Sequence, residues 1–166
     1  MAEQDQGTTQ AEQNQAGQPK FMLQRIYVKD SSFESPSAPL VFTKEWKPKM
    51  SVDLNTQSKK IADNNYEVEL SVTVTAKVDD DQTAFLVEVV QGGLFYVQGI
   101  EGEGLSQALG IACPNMLFPY LREAVDSMVV KGGFPALALQ PVNFETLYRQ
   151  AKKEHAEKQA AASTTH

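Results

Sequence analysis

The residues with the greatest capacity for chemistry are few and poorly placed for it. Histidine does acid–base work near neutrality and is the commonest metal ligand, yet the chain has two, His155 and His166, both in the trailing C-terminal segment. No catalytic triad or histidine metal site is expected in the body. Cys113 is the single cysteine. Beside Pro114 and far from either histidine, it reads as a small buried hydrophobe, because one thiol builds neither a zinc site nor an internal disulfide. The run Gly99-Ile100-Glu101-Gly102-Glu103-Gly104 imitates a phosphate loop, but no Gly-Lys-Ser/Thr follows, and Gln107 stands at the last glycine position of a dinucleotide fingerprint. A strand-to-helix turn accounts for it. Asp79-Asp80-Asp81 lacks the spaced ligands and glycine of a calcium loop and reads as a solvated turn. An enzyme of unfamiliar type would have to draw its carboxylates from Asp79 to Asp81 or from Glu101 and Glu103, around a compact polar pocket.

Composition narrows the classes further. At 166 residues, 42% of them hydrophobic and 22% charged, the chain suits one domain with a real core and two polar tails. The net charge of −6 argues against nucleic acid, whose phosphates need a concentrated Lys/Arg surface, and favours basic partners. No apolar run spans a bilayer, so no membrane insertion is expected, and the acidic start Met1-Ala2-Glu3-Gln4-Asp5 is unlike a signal peptide. With no disulfide to form, the cytoplasm is the expected compartment.

The elements that would position a site follow from periodicity. Residues 1–18, without Lys or Arg, are expected to be a disordered tail, with the domain over 19–152 and a flexible tail over 153–166. Residues 21–28 have strand composition with mixed faces, suggesting a strand that also meets a partner. A long crossover is expected over 29–49, with Pro36, Pro39 and Pro48 and the apolar residues Phe33, Leu40, Val41, Phe42 and Trp46; Trp46 either packs onto the body or lines a ligand groove. Met50, Val52 and Leu54 mark a short strand with one dry face. Unbroken alternation from Tyr66 to Val78 defines a half-buried antiparallel strand, and a hairpin at Asp79-Asp80-Asp81-Gln82 returns the chain over 83–90. On that return Phe85, Val87 and Val89 share one face, and Leu86, Glu88 and Val90 the other; Leu86 is either a surface leucine or a docking spot. Gly92-Gly93 is expected to kink or bulge the strand.

A short helix near 105–111 is expected to stop at Pro114, and a main helix to begin at an Asn115 cap and end at Gly132. Leu117, Tyr120, Leu121, Ala124 and Met128, widened by Phe118, Val125 and Val129, form a stripe too broad for a helix with one side in water, which implies burial by the sheet and by another subunit. After the extended link Phe134-Pro135-Ala136-Leu137-Ala138-Leu139-Gln140-Pro141, a last helix starts at Asn143, with Phe144, Leu147, Tyr148 and Ala151 on one face.

With these residues in view, the chain resembles the SecB family of tetrameric bacterial export chaperones. The resemblance rests on residues 21–29, Asp30-Ser31-Ser32-Phe33-Glu34-Ser35-Pro36, Val41-Phe42-Thr43-Lys44-Glu45-Trp46, residues 66–76 and residues 83–139; Leu117-Phe118-Pro119-Tyr120, Gly133-Phe134-Pro135 and Pro141-Val142-Asn143-Phe144 are especially specific together. It covers Phe21 to Tyr148 and leaves out both tails. It implies an α+β fold, a four-stranded antiparallel sheet with helices packed on one face, paired through the first strand and assembled by the main helices as a homotetrameric dimer of dimers. It further implies an ATP-independent holdase, with no cofactor and no catalysed reaction, that binds unfolded precursor proteins in the cytoplasm and delivers them to the SecA motor. A chaperone linked to a toxin–antitoxin system, built on the same fold, is the alternative.

The resemblance also assigns residues. Asp30, Glu34 and Glu88, with Leu86 as apolar contact, match positions that dock the basic zinc-binding tail of SecA. Phe85, Val87, Val89 and Gln91 match positions that affect assembly, with Leu121, Val125 and Met128 expected at the helix interface; valine at 87 keeps that position apolar. A client groove is expected along Val41, Phe42, Trp46, Tyr120, Phe134, Leu137 and Leu139, giving apolar, sequence-tolerant contacts.

Overall fold

A computed structural model describes residues 17–163 of the chain. The expected N-terminal tail lies outside the described residues except for its last two positions, as do residues 164–166. Four antiparallel strands, β1 (Lys20–Glu34), β2 (Lys49–Ala62), β3 (Asn65–Val78) and β4 (Gln82–Gln98), form one sheet in the order β1-β4-β3-β2. The β1–β2 connection therefore crosses the whole sheet from edge to edge. Helices α1 (Gly102–Gln107), α2 (Cys113–Lys131) and α3 (Phe144–Ser163) follow, and α2 covers the inner face of β4 and β3.

Alternation sets the core. On β3 the side chains of Val68, Leu70, Val72, Val74, Ala76 and Val78 are buried while their neighbours are partly open. β4 adds Phe85, Val87, Val89, Phe95 and Val97, and α2 covers them with Cys113, Leu117, Leu121, Val125 and Val129. At about 25 cal/mol per Å² of apolar surface removed from water, these faces are what hold the sheet and α2 together.

Several boundaries depart from expectation, each for a physical reason. β1 runs on through residues expected in the crossover, to Glu34, because register shifts between Leu23 and Arg25 and between Val28 and Asp30 break its alternation without ending the ladder. β2 continues to Ala62 through polar residues, which an edge strand tolerates. β4 passes through Gly92-Gly93 unbroken; its ladder with β3 is regular there, its own register shift falls at Ala84, and the bulges flanking the glycines lie in β1.

The helical region is continuous rather than split. A π turn over Ala108–Ala112, closed by the Cys113 N–H on the Ala108 carbonyl, joins α1 to α2. The wider turn accommodates Pro114, which lacks a donor and would crowd a carbonyl in a regular α-turn. Asn115 is consequently inside the helix and caps nothing. Pro119 also lies within α2, and the Asn115 carbonyl it leaves without a helical donor sits on an exposed residue. The end at Gly132 is as expected: Gly133 adopts φ 89°, its N–H reaches the Val130 carbonyl at 3.0 Å, and the Phe134 N–H reaches that of Val129 at 3.2 Å. This pair of bonds is a Schellman stop. At the other end of the chain, helical geometry continues past Lys152 to Ser163, since the Ala, Lys, Glu and Gln there are strong helix formers.

Candidate functional site

The register of β1 on β4 assembles the expected docking residues. Glu34 pairs with Leu86, Ser32 with Glu88 and Asp30 with Val90. Directly paired residues point to the same face, so Asp30, Glu34, Leu86 and Glu88 form one patch on the sheet face away from the helices. Asp30, Glu34 and Glu88 are exposed and Leu86 is half-buried. Beyond the 3.5 Å contact of Thr73 Oγ1 with Glu88, the three carboxylates have no side-chain partner among the described residues.

The neighbouring acids on that face share a cation. Lys29 Nζ lies 2.9 Å from Glu67 Oε1 and also contacts Glu69, while the Tyr27 hydroxyl donates to Glu67 Oε1 at 2.5 Å. The hydrogen bond from Tyr27, then that from Lys29, holds the Glu67 carboxyl below the usual carboxylate range. Burial first, and the bond to Glu67 second, push the Tyr27 phenol up to about 12. The bonds to Glu69 and Glu67 raise the Lys29 ammonium above its ordinary value. The carboxylates of Asp30, Glu34 and Glu88, by contrast, have no ion-pair partner among the described residues and add to the negative potential of this face.

The expected groove residues fall into two groups. Phe134 centres an aromatic cluster, with ring centroids 5.0 Å from Phe85, 5.1 Å from Phe42 and 5.2 Å from Trp46. Val41 and Phe134 are buried, Trp46 is half-buried and stacks on Phe85, and Phe42 is 51% exposed. Of the two roles open to Trp46, packing onto the body is the one this geometry displays. Leu137 and Leu139 lie elsewhere, lining a cleft of about 390 Å³ between the extended link, Phe118 of α2 and the inner face of β2 at Met50, Val52 and Leu54. Asp126 Oδ1 holds the link in place by accepting the N–H groups of Leu137 at 3.0 Å and Ala138 at 3.1 Å.

Tyr120 is not brought together with either group. It stands exposed beside Met116 on the flank of α2 opposite Phe118. Met50, Val52 and Asp126 were not among the expected groove residues. The dry face of β2 was the available signal for the first two, but nothing in sequence says that α2 stops short of covering it. Asp126 gave no signal, because its partners are backbone amides eleven and twelve residues on.

The positions matched to assembly are interior. Phe85, Val87 and Val89 of β4 and Leu121 and Val125 of α2 are fully buried, Gln91 is 3% exposed, and Met128 is half-buried. Side chains without exposure cannot touch a partner directly; any effect they have on assembly passes through the strand and helix they support.

Among the described residues no helix is long and apolar enough to cross a membrane, and no group of three or more His, Cys, Asp or Glu could hold a metal ion. A sheet covered on one face, an apolar cleft bordering an open strand edge and an acidic corner on the other face are features of a binding protein of the chaperone class. The profile of the SecB family, described as preprotein translocase subunit SecB, matches residues 14–155. A protein-export protein SecB of Marinobacter nauticus is 56% identical over the full length of both chains. Another, from Hahella chejuensis, is 56% identical over 87% of this chain and 90% of its own. A SecB-like chaperone of Mycobacterium tuberculosis, solved in complex with a ChAD peptide from an antitoxin, superposes with a TM-score of 0.62 at 16% identity, over 74% of this chain and 90% of its own, which speaks to the fold. The chain belongs to the SecB family of protein-export chaperones, a family of binding proteins rather than enzymes.

Proposed function

We propose that the protein is an ATP-independent holdase of the cytoplasm that keeps unfolded precursor proteins competent for translocation and passes them to the SecA motor. The observation that carries this reading is the cleft beside β2. Its walls are apolar side chains of the strand and the link, and such walls accept extended segments of many sequences without reading any one of them. The M. tuberculosis relative is described in complex with a peptide, which supports polypeptide as the ligand class. Relatives named as export proteins match at 56% identity, and this favours export over a toxin–antitoxin role.

The acidic corner is the proposed dock for the basic zinc-binding tail of SecA, with Leu86 as the apolar contact among Asp30, Glu34 and Glu88. Assembly as a dimer of dimers would use the free edge of β1 and the Met116 and Tyr120 flank of α2. Both are available in the single chain: Val28 is 51% exposed on β1 and Tyr120 is equally so.

The test is aggregation of a chemically unfolded precursor with and without the purified protein, no nucleotide added, and molar mass followed by light scattering. Suppression near stoichiometric ratio, with the folded precursor ignored, is the expected result. Aggregation unchanged by an intact tetramer would reject the holdase reading.

A further inference from the structure

The bulge at Lys29 decides which face Asp30 and Glu34 occupy. Side chains alternate along a strand, so with Tyr27 on the outer face a regular β1 would send Lys29, Ser31 and Phe33 outward and turn Asp30, Ser32 and Glu34 toward the helices. The extra residue between Val28 and Asp30 reverses this order. Tyr27 pairs with Gly92, Asp30 with Val90 and Phe33 with Val87, which returns the acids to the outer face and Phe33 to the aromatic cluster.

Side chains hold the bulge from both sides. On the inner side Gln91, the one buried polar residue among the described residues, donates from Nε2 to the Tyr27 carbonyl at 2.9 Å. This bond ties the β1 backbone to β4 two residues before the unpaired Lys29. On the outer side the Tyr27 ring lies over Gly92, where a Cβ would stand 2.3 Å from its Cε2. Its hydroxyl reaches Glu67 on β3, and Lys29, the inserted residue, binds Glu67 and Glu69.

We propose that Gln91, Tyr27, Lys29 and Glu67 form a clamp that fixes the β1 bulge and thereby positions Asp30 and Glu34 beside Leu86 and Glu88 for recognition of a basic partner. The inference rests on the docking role given above. None of the four touches the partner; they are positioning residues.

Charge and position give opposite signs in the test. Gln91→Met removes the inner donor at constant charge, and Lys29→Met takes a positive charge off an acidic surface. On charge alone the first leaves affinity for a zinc-loaded peptide of the SecA tail unchanged, and the second raises it. The clamp requires both to weaken it, about tenfold, at a molar mass by light scattering equal to that of the unaltered protein, with Lys29→Arg restoring it, aggregation suppression retained in Lys29→Met, and amide exchange of residues 28–31 accelerated. Unchanged affinity in Gln91→Met with tighter binding in Lys29→Met overturns the proposal. Should Gln91→Met fail to fold, Lys29→Met, a surface change, carries the test by its sign. If the unaltered protein does not take up the peptide at all, the docking reading falls, and exchange at the bulge becomes the readout: no acceleration in Lys29→Met overturns the clamp as well.

Discussion

Two single side chains make the local chemistry measurable. Cys113 is fully buried, and burial pushes its thiol up to about 12, so the reactive thiolate is scarce at neutral pH. Alkylation of the native protein at pH 8 should be governed by opening of the structure, its rate rising in parallel with unfolding as urea is added; rapid labelling without denaturant would contradict the burial. Glu67 titrates lower folded than unfolded because Tyr27 and Lys29 donate to it. Its contribution is complete above the unfolded value of about 4.3 and drains away as pH falls through the folded value. Glu67→Gln should therefore cost about 1 kcal/mol at pH 7, and the difference from the unaltered protein should narrow below pH of about 4. Urea midpoints at the two pH values check this, and a gap independent of pH would sink it.

The stop of α2 and the attachment of α3 are properties of elements. Gly133 holds φ 89°, which an L side chain adopts at a cost of about 1 to 2 kcal/mol, and its absent Cβ would lie 3.2 Å from the Phe42 ring. Gly133→Ala should lower the unfolding free energy by that amount and displace Phe42; an unchanged urea midpoint would mean that the Schellman turn re-forms another way. α3 is held by Phe144, 2% exposed and edge-on to Phe118 at 6.0 Å, and by Glu103, which accepts from Tyr148 and Lys152. In Phe144→Ala limited proteolysis should cut the link ahead of α3 while the sheet remains protected. These elements were legible in sequence to different degrees, for reasons visible in single residues. Val68 to Val78 gave β3 outright, because alternation is the direct image of one covered face. The Lys29 bulge concealed the second half of β1, since an inserted residue inverts the pattern that identifies a strand. Pro114 concealed the continuity of the helix, because a π turn leaves no compositional mark. Of the candidate surfaces, the docking residues were matched by resemblance, but their gathering into one patch depends on a register that no local pattern encodes.

Over the whole molecule the three proposed activities occupy different sides. Docking uses the outer face at β1 and β4, client binding the β2 edge of the helical face, and self-association the β1 edge with the adjoining flank of α2. Docking and self-association adjoin along β1, so substitutions there can couple, whereas the β2 cleft lies across the sheet and should respond independently of both. The cleft supplies the sharpest contrast. Met50 and Val52 are 41% and 50% exposed, so replacing both with serine leaves the core intact, removes apolar wall and should cost little stability. Trp46, packed against Phe85 and Phe134, is different: Trp46→Ala opens a cavity and should destabilise by about 3 kcal/mol, which confounds any loss of client binding. Phe42→Ala, at an exposed position of the same cluster, should not. If client segments run along β2, the Met50 and Val52 double variant should weaken binding of an unfolded precursor several-fold while Phe42→Ala has a smaller effect, with the molar mass and the affinity for the SecA peptide unchanged in both. The reverse order would move the principal contact to the aromatic cluster, and equal losses would mean that one extended chain engages both places at once, its affinity built from separate apolar contacts joined by the intervening segment.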